Sequence, residues 1–353
     1  MPRFVAHRLC GCHPYDRLKV FLAASTEKRA RLGMTDLEVS PIAFGTWQLG
    51  GEWGEFDEQE AVAAIRQAQQ LGVNLFDTAH GYGFGASERV LGKALRDDIE
   101  HRRNEVMIAT KGGLRMTDAG LVRDSSPDWL RQGLDESLEA LGVDHVDLLQ
   151  VHWPDQKVPF AETAGALQGL VDEGKVRHVG VSNFSPAEMS EFAETRPVET
   201  LQPPYDLFRR GIEAEILPYC EERDIGVLVY GALAHGLLTG AMDENTTFAA
   251  DDWRSGAPFF KGEDFHRNLE VVRRLQSLAQ DRLGVSVSRL AIAWTLANPA
   301  VDAVIVGARH PGHIEDSVAA AKLDLSEADL EEIESIMADS VSMGGPHPEM
   351  MPE

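Results

Sequence analysis

Residues 147–153 read DLLQVHW, a short apolar run that ends at two side chains capable of chemistry, His152 and Trp153. Seven other runs of this kind occur, and most are followed by a helix-like pattern. The eight runs, in chain order, are IAFGTW (42–47), NLFDTA (74–79), VMIATK (106–111), DLLQVHW (147–153), HVGVSN (178–183), ETLQPPY (199–205), GVLVYGAL (226–233) and AVIVGAR (303–309). Runs rich in Val and Ile predict strands buried on both faces, and helical crossovers between them make the sheet parallel. The pattern therefore predicts a closed (β/α)8 TIM barrel, whose active site lies where the strands end.

One barrel accounts for most of the chain, over residues 29–340. Residues 30–40, ARLGMTDLEVS, predict an N-terminal β-hairpin that closes the barrel floor, and residues 241–268 predict a long loop after the seventh strand. Such a loop often forms a lid over the mouth of a barrel. Residues 1–28 are expected to be a poorly ordered tail, and residues 341–353 a second tail. At 353 residues and 43% hydrophobic content, the chain can bury the core that this architecture requires.

Helix signals fall between the predicted strands. Ser87 opens SERVLGKALRDDI, and Ser126 precedes Pro127 as an N-cap before a helix with proline in its first turn. Thr163 is expected to start TAGALQGLVDEGK, and Ser326 to start the last helix. These patterns supply crossover helices for the parallel sheet.

Composition excludes several classes of partner. The formal net charge of -24 argues against binding to nucleic acid or to an anionic membrane, because both are held by Lys and Arg clusters. No run approaches the roughly 20 apolar residues of a membrane span.

Three cysteines do not form a disulfide framework, which favours a reducing compartment such as the cytoplasm. The Cys10-Gly11-Cys12-His13 cluster lacks a second ligand pair, so no metal site is predicted. A barrel of this size can act as a monomer or a weak homo-oligomer.

Four residues at the ends of strands two to four carry the candidate chemistry: Asp77, Tyr82, Lys111 and His152. A buried Lys111 ammonium needs a counter-charge, which Asp77 can provide. Near a phenol, the ammonium favours the phenolate and would lower the pKa of Tyr82 from about 10. Tyr82 could then protonate a carbonyl oxygen, with His152 hydrogen-bonded to the same oxygen. Singly, each residue could have a purely structural role, as a loop cap, a surface aromatic, a core ion pair or a satisfied core histidine. Four suitable groups at one end of successive strands favour the chemical interpretation.

Longer motifs resemble a known family. FDTAHGYGFGASE (76–88), ATKGG (109–113), LLQVHWPD (148–155) and GVSNF (180–184), in this order, resemble the aldo-keto reductases, which are (β/α)8 barrels that use NADPH. LQPPYDLF, YGALAHGLLTG and the DDWR segment are similar to the bacterial branch with the general-stress and inositol-operon reductases. The resemblance covers about residues 31–338. It implies an NADP-dependent oxidoreductase in which Tyr82 is the general acid, Lys111 and Asp77 tune it, and His152 orients the carbonyl.

The resemblance also implies a set of cofactor contacts. Ser182, Asn183 and Gln202 would hold the nicotinamide carboxamide, and Tyr230 would stack on the ring. From its position at the end of strand eight, just before a helix, Arg309 is expected to meet the 2'-phosphate of NADPH; the alternative is an exposed arginine without a ligand. The full set is Gly45, Thr46, Trp47, Ser182, Asn183, Gln202, Tyr230, Gly231, Leu233, Gly240, Gly307, Arg309, His313 and Asp316.

Some of these positions are equally typical of turns, and others depart from the family pattern. Without the resemblance, Gly231 and Gly240 would be interpreted as turn residues. His313 stands where Gln or Arg is frequent, Ser317 where Asn is frequent, and Ala241 where Lys is common. The departures leave the hydride chemistry intact and concern the adenine contacts and the margin of NADPH over NADH.

Aromatic residues predict the substrate pocket. Trp47, Phe84 and Trp153, with aromatics of the 241–268 loop, would form an open apolar pocket for aldehydes, ketones or sugars. The alternative is that both tryptophans are packing residues. Two other functions stay open. One is a nucleotide-sensing module resembling potassium-channel β-subunits; the other is a Schiff-base lyase that uses Lys111.

Overall fold

The computed structural model describes residues 29–51, 53–250 and 252–343. The predictions for the N-terminal tail, including Cys10 and Cys12, lie outside these ranges, and so do residues 344–353 of the predicted C-terminal tail. Every structural statement below concerns the described residues.

A short hairpin precedes the barrel, as predicted. Strands β1 (Ala30–Arg31) and β2 (Glu38–Val39) pair antiparallel. Leu32, Leu37 and Val39 are fully buried and pack in one cluster with inward-facing side chains of the barrel. Gly33 lies at the tip with φ +51°, and a Cβ there would sit 2.1 Å from the backbone nitrogen of Gly226. The hairpin therefore closes the floor through a backbone approach that only glycine permits.

Eight parallel strands close into the predicted barrel. Their order around the barrel follows the chain, and the last strand pairs with the first through Val304 and Ile42. Two further strands form an antiparallel hairpin above the third barrel strand. The barrel strands are β3 (Ile42–Gly45), β4 (Leu75–Asp77), β5 (Met107–Gly112), β8 (Val146–Val151), β9 (Val176–Ser182), β10 (Thr200–Gln202), β11 (Gly226–Tyr230) and β12 (Ala303–Gly307), and the hairpin strands are β6 (Leu114–Thr117) and β7 (Gly120–Arg123).

Helices surround the sheet and bury their apolar faces against the outward-facing strand residues in one large core. They are α1 (Glu58–Gln70), α2 (Ala86–Ala94), α3 (Arg96–His101), α4 (Pro127–Leu141), α5 (Phe160–Asp172), α6 (Pro186–Ala193), α7 (Ile216–Glu222), α8 (Gly262–Leu278), α9 (Val287–Ala297), α10 (Pro311–Ala320) and α11 (Glu327–Met337).

Several helix boundaries differ from the sequence predictions. Helix α5 begins at Phe160 instead of Thr163, because Phe160 is itself buried in the core. The SERVLGKALRDDI segment forms two helices, which meet at Leu95. The long loop after β11 ends at Lys261, since α8 already begins at Gly262. Ser326 caps α11 through a capping box, as its position predicts.

The β6–β7 hairpin and the end of the described chain were not anticipated. The hairpin follows β5, and its Leu114 packs with Trp153. Near the end of the chain, the Val341 backbone donates to and accepts from the side chain of Asn268 on α8. Met343 is buried, and its backbone N–H donates to the carbonyl of Phe208.

Candidate active site

A cavity of about 490 Å³ opens at the carboxyl ends of the barrel strands. Asp77, Tyr82 and His152 lie among its lining residues, and so do Arg309 and His313, which follow the last barrel strand. The volume falls in the range of small-molecule sites, roughly 300–1,000 Å³. Strands distant in sequence therefore contribute to one site, as the barrel topology predicts.

A buried ion pair forms the base of this site. Lys111 Nζ donates to Asp77 Oδ2 at 2.7 Å and to the Thr78 carbonyl at 2.9 Å, and the Lys111 side chain is 1% exposed. The same ammonium lies 3.3 Å from the Tyr82 hydroxyl. All three ammonium protons therefore have acceptors, and one of those acceptors is the phenol oxygen.

The loop after β4 brings Tyr82 to the ammonium. The backbone N–H of His80 donates to the Lys111 carbonyl at 3.0 Å, so the loop is fixed to the end of β5. His80 Nε2 also bonds Glu136 Oε2 on α4 at 2.8 Å. Next to Tyr82, Gly83 has φ +63°, and a Cβ there would lie 2.4 Å from the Gly50 carbonyl. The GYG pattern therefore permits a turn that passes close to the neighbouring loop.

His152 completes the group on this side of the cavity. It follows β8, where its backbone N–H donates to the Gly112 carbonyl at 2.9 Å, and its side chain is almost fully buried. The imidazole and the Tyr82 ring meet edge to face, with centroids 5.5 Å apart. An oxygen atom bound between them would thus meet polar groups of two side chains.

The next three strands carry a polar network around Tyr230. The Tyr230 hydroxyl donates to Asn183 Oδ1 at 2.9 Å, and Asn183 Nδ2 donates to Ser182 Oγ at 3.0 Å. Gln202 Nε2 donates to Asp77 Oδ1 at 2.8 Å, which connects this network to the buried ion pair. Amide and hydroxyl groups beside an aromatic ring fit the carboxamide and ring of a nicotinamide.

The opposite end of the cavity is basic. Arg309 follows β12, and Gly312 and His313 lie in the first turn of α10. A Cβ at Gly312 would meet no heavy atom within 4 Å, so there is open space beside this residue in the first turn. Burial lowers the pKa of His313 below its usual value, and the nearby positive charges of His310 and Arg309 lower it further. A guanidinium at a helix N-terminus fits a phosphate group.

An aromatic cluster, of which the sequence predicted Trp47 and the loop aromatics, forms one wall of the cavity. Trp47 stacks on Tyr82 at 6.3 Å and on Trp253 at 6.1 Å between ring centroids. Trp53 meets Trp47 edge to face at 5.0 Å, and the His235 ring lies 4.8 Å from that of Trp253. Trp253 belongs to the loop after β11, whose aromatics were expected near the mouth. Trp53 and His235 gave no spacing signal, because they come from loops without a regular pattern.

Arg254 holds this loop across the cavity. It bonds Asp252 and donates to the His235 carbonyl at 3.2 Å, and its guanidinium lies 4.9 Å from the Trp53 ring centroid. Burial works to raise the pKa of Asp252, but hydrogen bonds from the Arg254 side chain and backbone outweigh it, so the pKa falls below its usual value. We call residues 241–250 and 252–261 the strap.

Most of the residues named from the sequence line the cavity. Those that do are Gly45, Trp47, Asp77, Tyr82, His152, Ser182, Gln202, Tyr230, Gly231, Leu233, Gly307, Arg309, His313 and Asp316. Lys111 lies directly behind Asp77 and Tyr82, and Asn183 lies behind Tyr230. The described lining does not include Thr46, Phe84, Trp153 or Gly240.

Phe84 and Trp153, two of the three residues expected to contact substrate, pack elsewhere. Phe84 lies against the His80 ring, with centroids 5.4 Å apart. Trp153 packs on Leu114 below the β6–β7 hairpin and under the Arg123 guanidinium. Sequence reasoning placed both next to functional neighbours but could not determine which way each side chain turns.

Metal-binding clusters and membrane-spanning helices are both absent from the described residues. No group of three or more His, Cys, Asp or Glu side chains there is arranged to hold a metal ion. Within the same part of the chain, every helix is too short or too polar to cross a membrane.

Comparison with known proteins assigns the chain to a family. The family model for the aldo/keto reductase family matches residues 41–338. Aldo-keto reductase YhdN of Bacillus subtilis is 41% identical over 87% of this chain and 93% of its own length. The NADH-specific methylglyoxal reductase of Escherichia coli is 32% identical over 86% of this chain and 96% of its own.

A solved structure agrees with the same assignment. The glycerol dehydrogenase AKR11B4 from Gluconobacter oxydans has a TM-score of 0.81 and 39% identity, over 93% of this chain and 100% of its own. Barrel topology, the arrangement of the cavity and these matches agree: this chain belongs to the aldo/keto reductase family, which includes nicotinamide-dependent oxidoreductases of carbonyl compounds.

Proposed function

We propose that this protein is an NADPH-dependent reductase that converts aldehydes or ketones to alcohols, reversibly, with Tyr82 as the general acid. The observation that carries the proposal is the contact of 3.3 Å between the Tyr82 hydroxyl and Lys111 Nζ, beside a cavity that reaches to Arg309. A phenol next to an ammonium in a cavity of small-molecule size is suited to donate a proton.

The proton step follows from this geometry. As Tyr82 gives its proton to a carbonyl oxygen, negative charge develops on the phenol oxygen, and the nearby ammonium stabilises it. Asp77 holds Lys111 in position and balances its charge in the interior. His152 lies where it can hydrogen-bond the substrate oxygen and orient it toward Tyr82. When bound, a reduced nicotinamide supplies the hydride.

The cofactor assignment uses the chain's own polar groups. Ser182, Asn183 and Gln202 would hold the carboxamide, and the Tyr230 ring would fix one face of the nicotinamide. Gly45, Gly231 and Gly307 line the cavity, and a Cβ at each would crowd a neighbouring side chain, which is Ile305, Arg209 or Gln48 respectively. Arg309 just before α10 and His313 in its first turn support NADPH over NADH. One relative in the family is NADH-specific.

The substrate assignment is less specific. Trp47, Trp53 and Trp253 give an apolar wall beside Tyr82, which suits uncharged aldehydes, ketones and sugars. One barrel supplies every residue of the proposed site, so a monomer or weak oligomer would suffice. Cysteine usage keeps the cytoplasm as the expected location.

Replacement of Tyr82 by Phe tests the reductase directly. Tyr82→Phe removes the acidic hydroxyl but keeps the ring that stacks on Trp47. We expect kcat for aldehyde reduction to fall about 10²- to 10⁴-fold while the dissociation constant for NADPH stays nearly unchanged. NADPH oxidation over a panel of aldehydes, ketones and aldoses, with NADH in parallel, measures the first, and fluorescence titration measures the second.

Tyr219→Phe is the matched control, because Tyr219 lies on α7 against Arg223 and should keep full activity. Retained turnover in Tyr82→Phe would contradict the proposal. Tight NADPH binding by the unaltered protein without turnover on any carbonyl would instead favour the sensing module. Borohydride trapping of substrate on Lys111 would favour the lyase, although three hydrogen bonds already occupy that ammonium.

A further inference from the structure

Three basic side chains meet at the α10 end of the cavity. Arg309 lies 3.4 Å from the carbonyls of Trp53 and Glu55. The rings of His310 and His313 meet edge to face with centroids 5.4 Å apart. Arg309 carries a permanent charge, whereas a histidine can change its charge near neutral pH.

The acidic groups packed around this end mostly have other partners. On α10 itself, Asp316 is paired with Arg289 of α9, and Glu315 accepts from Gln67 of α1. Elsewhere on α1, Glu58 is paired with Lys93 of α2. Arg66 of α1 donates to the Ala94 carbonyl.

Among these packing elements of the described chain, one carboxylate makes an ion-pair contact with either histidine, although Asp316 lies one turn from His313 and lines the same cavity. Glu60 of α1 lies 3.5 Å from His310 Nδ1, a long contact between exposed side chains. No carboxylate contact of this kind is found for His313 among the described residues. Positive neighbours and partial burial thus favour the neutral imidazole of His313.

We propose that His313 makes the preference of this protein for 2'-phosphorylated nicotinamide nucleotides depend on pH. His313 contributes more to the affinity for these nucleotides in acid than in base. The inference rests on the proposed function, because it places the 2'-phosphate between Arg309 and α10. The inference goes beyond the proposed function because it assigns proton uptake to His313. Arginine or glutamine could not take up a proton there, because neither side chain titrates near neutral pH.

The physical reason is the charge of the imidazole in each state. A bound phosphate places negative charge next to His313 and opposes the two positive neighbours, so binding favours the protonated ring. A protonated histidine donates a charge-assisted hydrogen bond, whereas a neutral one contributes less. The phosphate itself loses a proton near pH 6, which acts in the opposite direction and must be separated experimentally.

Binding measured without turnover makes this separation. Quenching of tryptophan fluorescence would give dissociation constants for NADP⁺ and NAD⁺ from pH 5.5 to 8.5 at constant ionic strength, for the unaltered protein and His313→Gln. We expect His313→Gln to weaken NADP⁺ binding about tenfold at pH 5.5 and less than about twofold at pH 8.5. NAD⁺ binding should change little at either pH, because NAD⁺ lacks the 2'-phosphate. The titration of the free nucleotide is common to both proteins and cancels from the comparison.

His313→Arg provides a matched variant with a permanent charge. The ratio of the NADP⁺ dissociation constants of His313→Gln and His313→Arg should be nearly independent of pH, because the guanidinium does not titrate. Calorimetry at pH 7 in two buffers of different ionisation enthalpy should detect more proton uptake with NADP⁺ in the unaltered protein than in His313→Arg.

Two results would overturn the inference. One is that His313→Gln raises the NADP⁺ dissociation constant by the same factor at all pH values. The other is that His313→Gln raises the dissociation constants of NADP⁺ and NAD⁺ by the same factor. In either case, continued reduction of aldehydes would leave the proposed function intact. Failure of the unaltered protein to bind both nucleotides would overturn the proposed function and this inference together.

Discussion

The buried pair of Lys111 and Asp77 combines a structural and a chemical role in two side chains. Both side chains are at most 4% exposed, so neither charge has substantial access to water. Removing one partner from such a pair leaves an uncompensated charge in the interior, which costs about 3–5 kcal/mol. Replacing both by apolar residues is often nearly neutral for stability. Stability and catalysis should therefore respond differently to single and double substitution.

Asp77→Asn should lower the free energy of unfolding by about 3 kcal/mol and also reduce kcat, because Lys111 keeps its charge without a counter-ion. The double variant Asp77→Leu, Lys111→Met should recover much of the stability and remain inactive. Urea unfolding and steady-state aldehyde reduction measure the two properties. Recovery of activity together with stability in the double variant would contradict the role of the pair.

Among the secondary-structure elements, the floor hairpin is attached to the barrel by polar contacts as well as by its apolar residues. His178 of β9 bonds Asp36 of the hairpin through Nε2 and Glu199 through Nδ1, each at 2.7 Å. Burial works to lower the pKa of His178, but these two carboxylates outweigh it and raise the pKa above its usual value of 6.5. The His178 ring therefore favours its charged form in the folded protein.

This raised pKa gives a pH-dependent attachment of the hairpin. A group whose pKa is higher in the folded state stabilises the fold fully below its unfolded pKa, and the contribution is lost as pH rises through the folded value. We expect His178→Gln to lower the free energy of unfolding by about 1–2 kcal/mol at pH 6 and by less at pH 9. Urea unfolding at both pH values, with His101→Gln on the surface of α3 as control, measures this difference. A larger loss at pH 9 than at pH 6 would contradict the assignment.

At the scale of the whole molecule, the strap, which follows β11, contacts the loop after β3, two strands away around the barrel mouth. Trp253 of the strap stacks on Trp47, which follows β3. Arg254 joins the strap to His235 and stacks on Trp53. Ala257 and Phe260 of the strap pack in the main hydrophobic core, whereas its contacts with Trp47 and His235 lie at the mouth of the cavity. We therefore expect the mouth end of the strap to open without unfolding of the barrel.

Arg254→Met tests this independence. It keeps an apolar stem for packing but loses the hydrogen bond to the His235 carbonyl and the pair with Asp252. We expect proteolytic cleavage within the strap to become about fivefold faster, which corresponds to about 1 kcal/mol of lost closure, while the urea midpoint stays nearly constant. Arg223→Met is the control, since Arg223 contacts Glu222 and Tyr219 on α7. An equal shift of the urea midpoint and the cleavage rate would mean that the strap and barrel unfold together.

The barrel and most of its site could be predicted from the amino-acid order. Buried strand runs, separated by helices, leave few arrangements other than eight parallel strands, and in these the residues at strand ends meet at one mouth. Asp77, Lys111, His152 and Tyr230 could thus be placed at this mouth from their positions in the sequence.

The orientation of loop side chains toward the cavity could not be predicted in this way and depends on the folded packing. Phe84 and Trp153 turn away to pack with His80 and Leu114, whereas Trp53 and His235 turn inward. Strand periodicity fixes the direction of a side chain, because alternate residues face opposite sides of a sheet. A loop has no such period, so the direction of its side chains depends on packing between segments that are far apart in the chain.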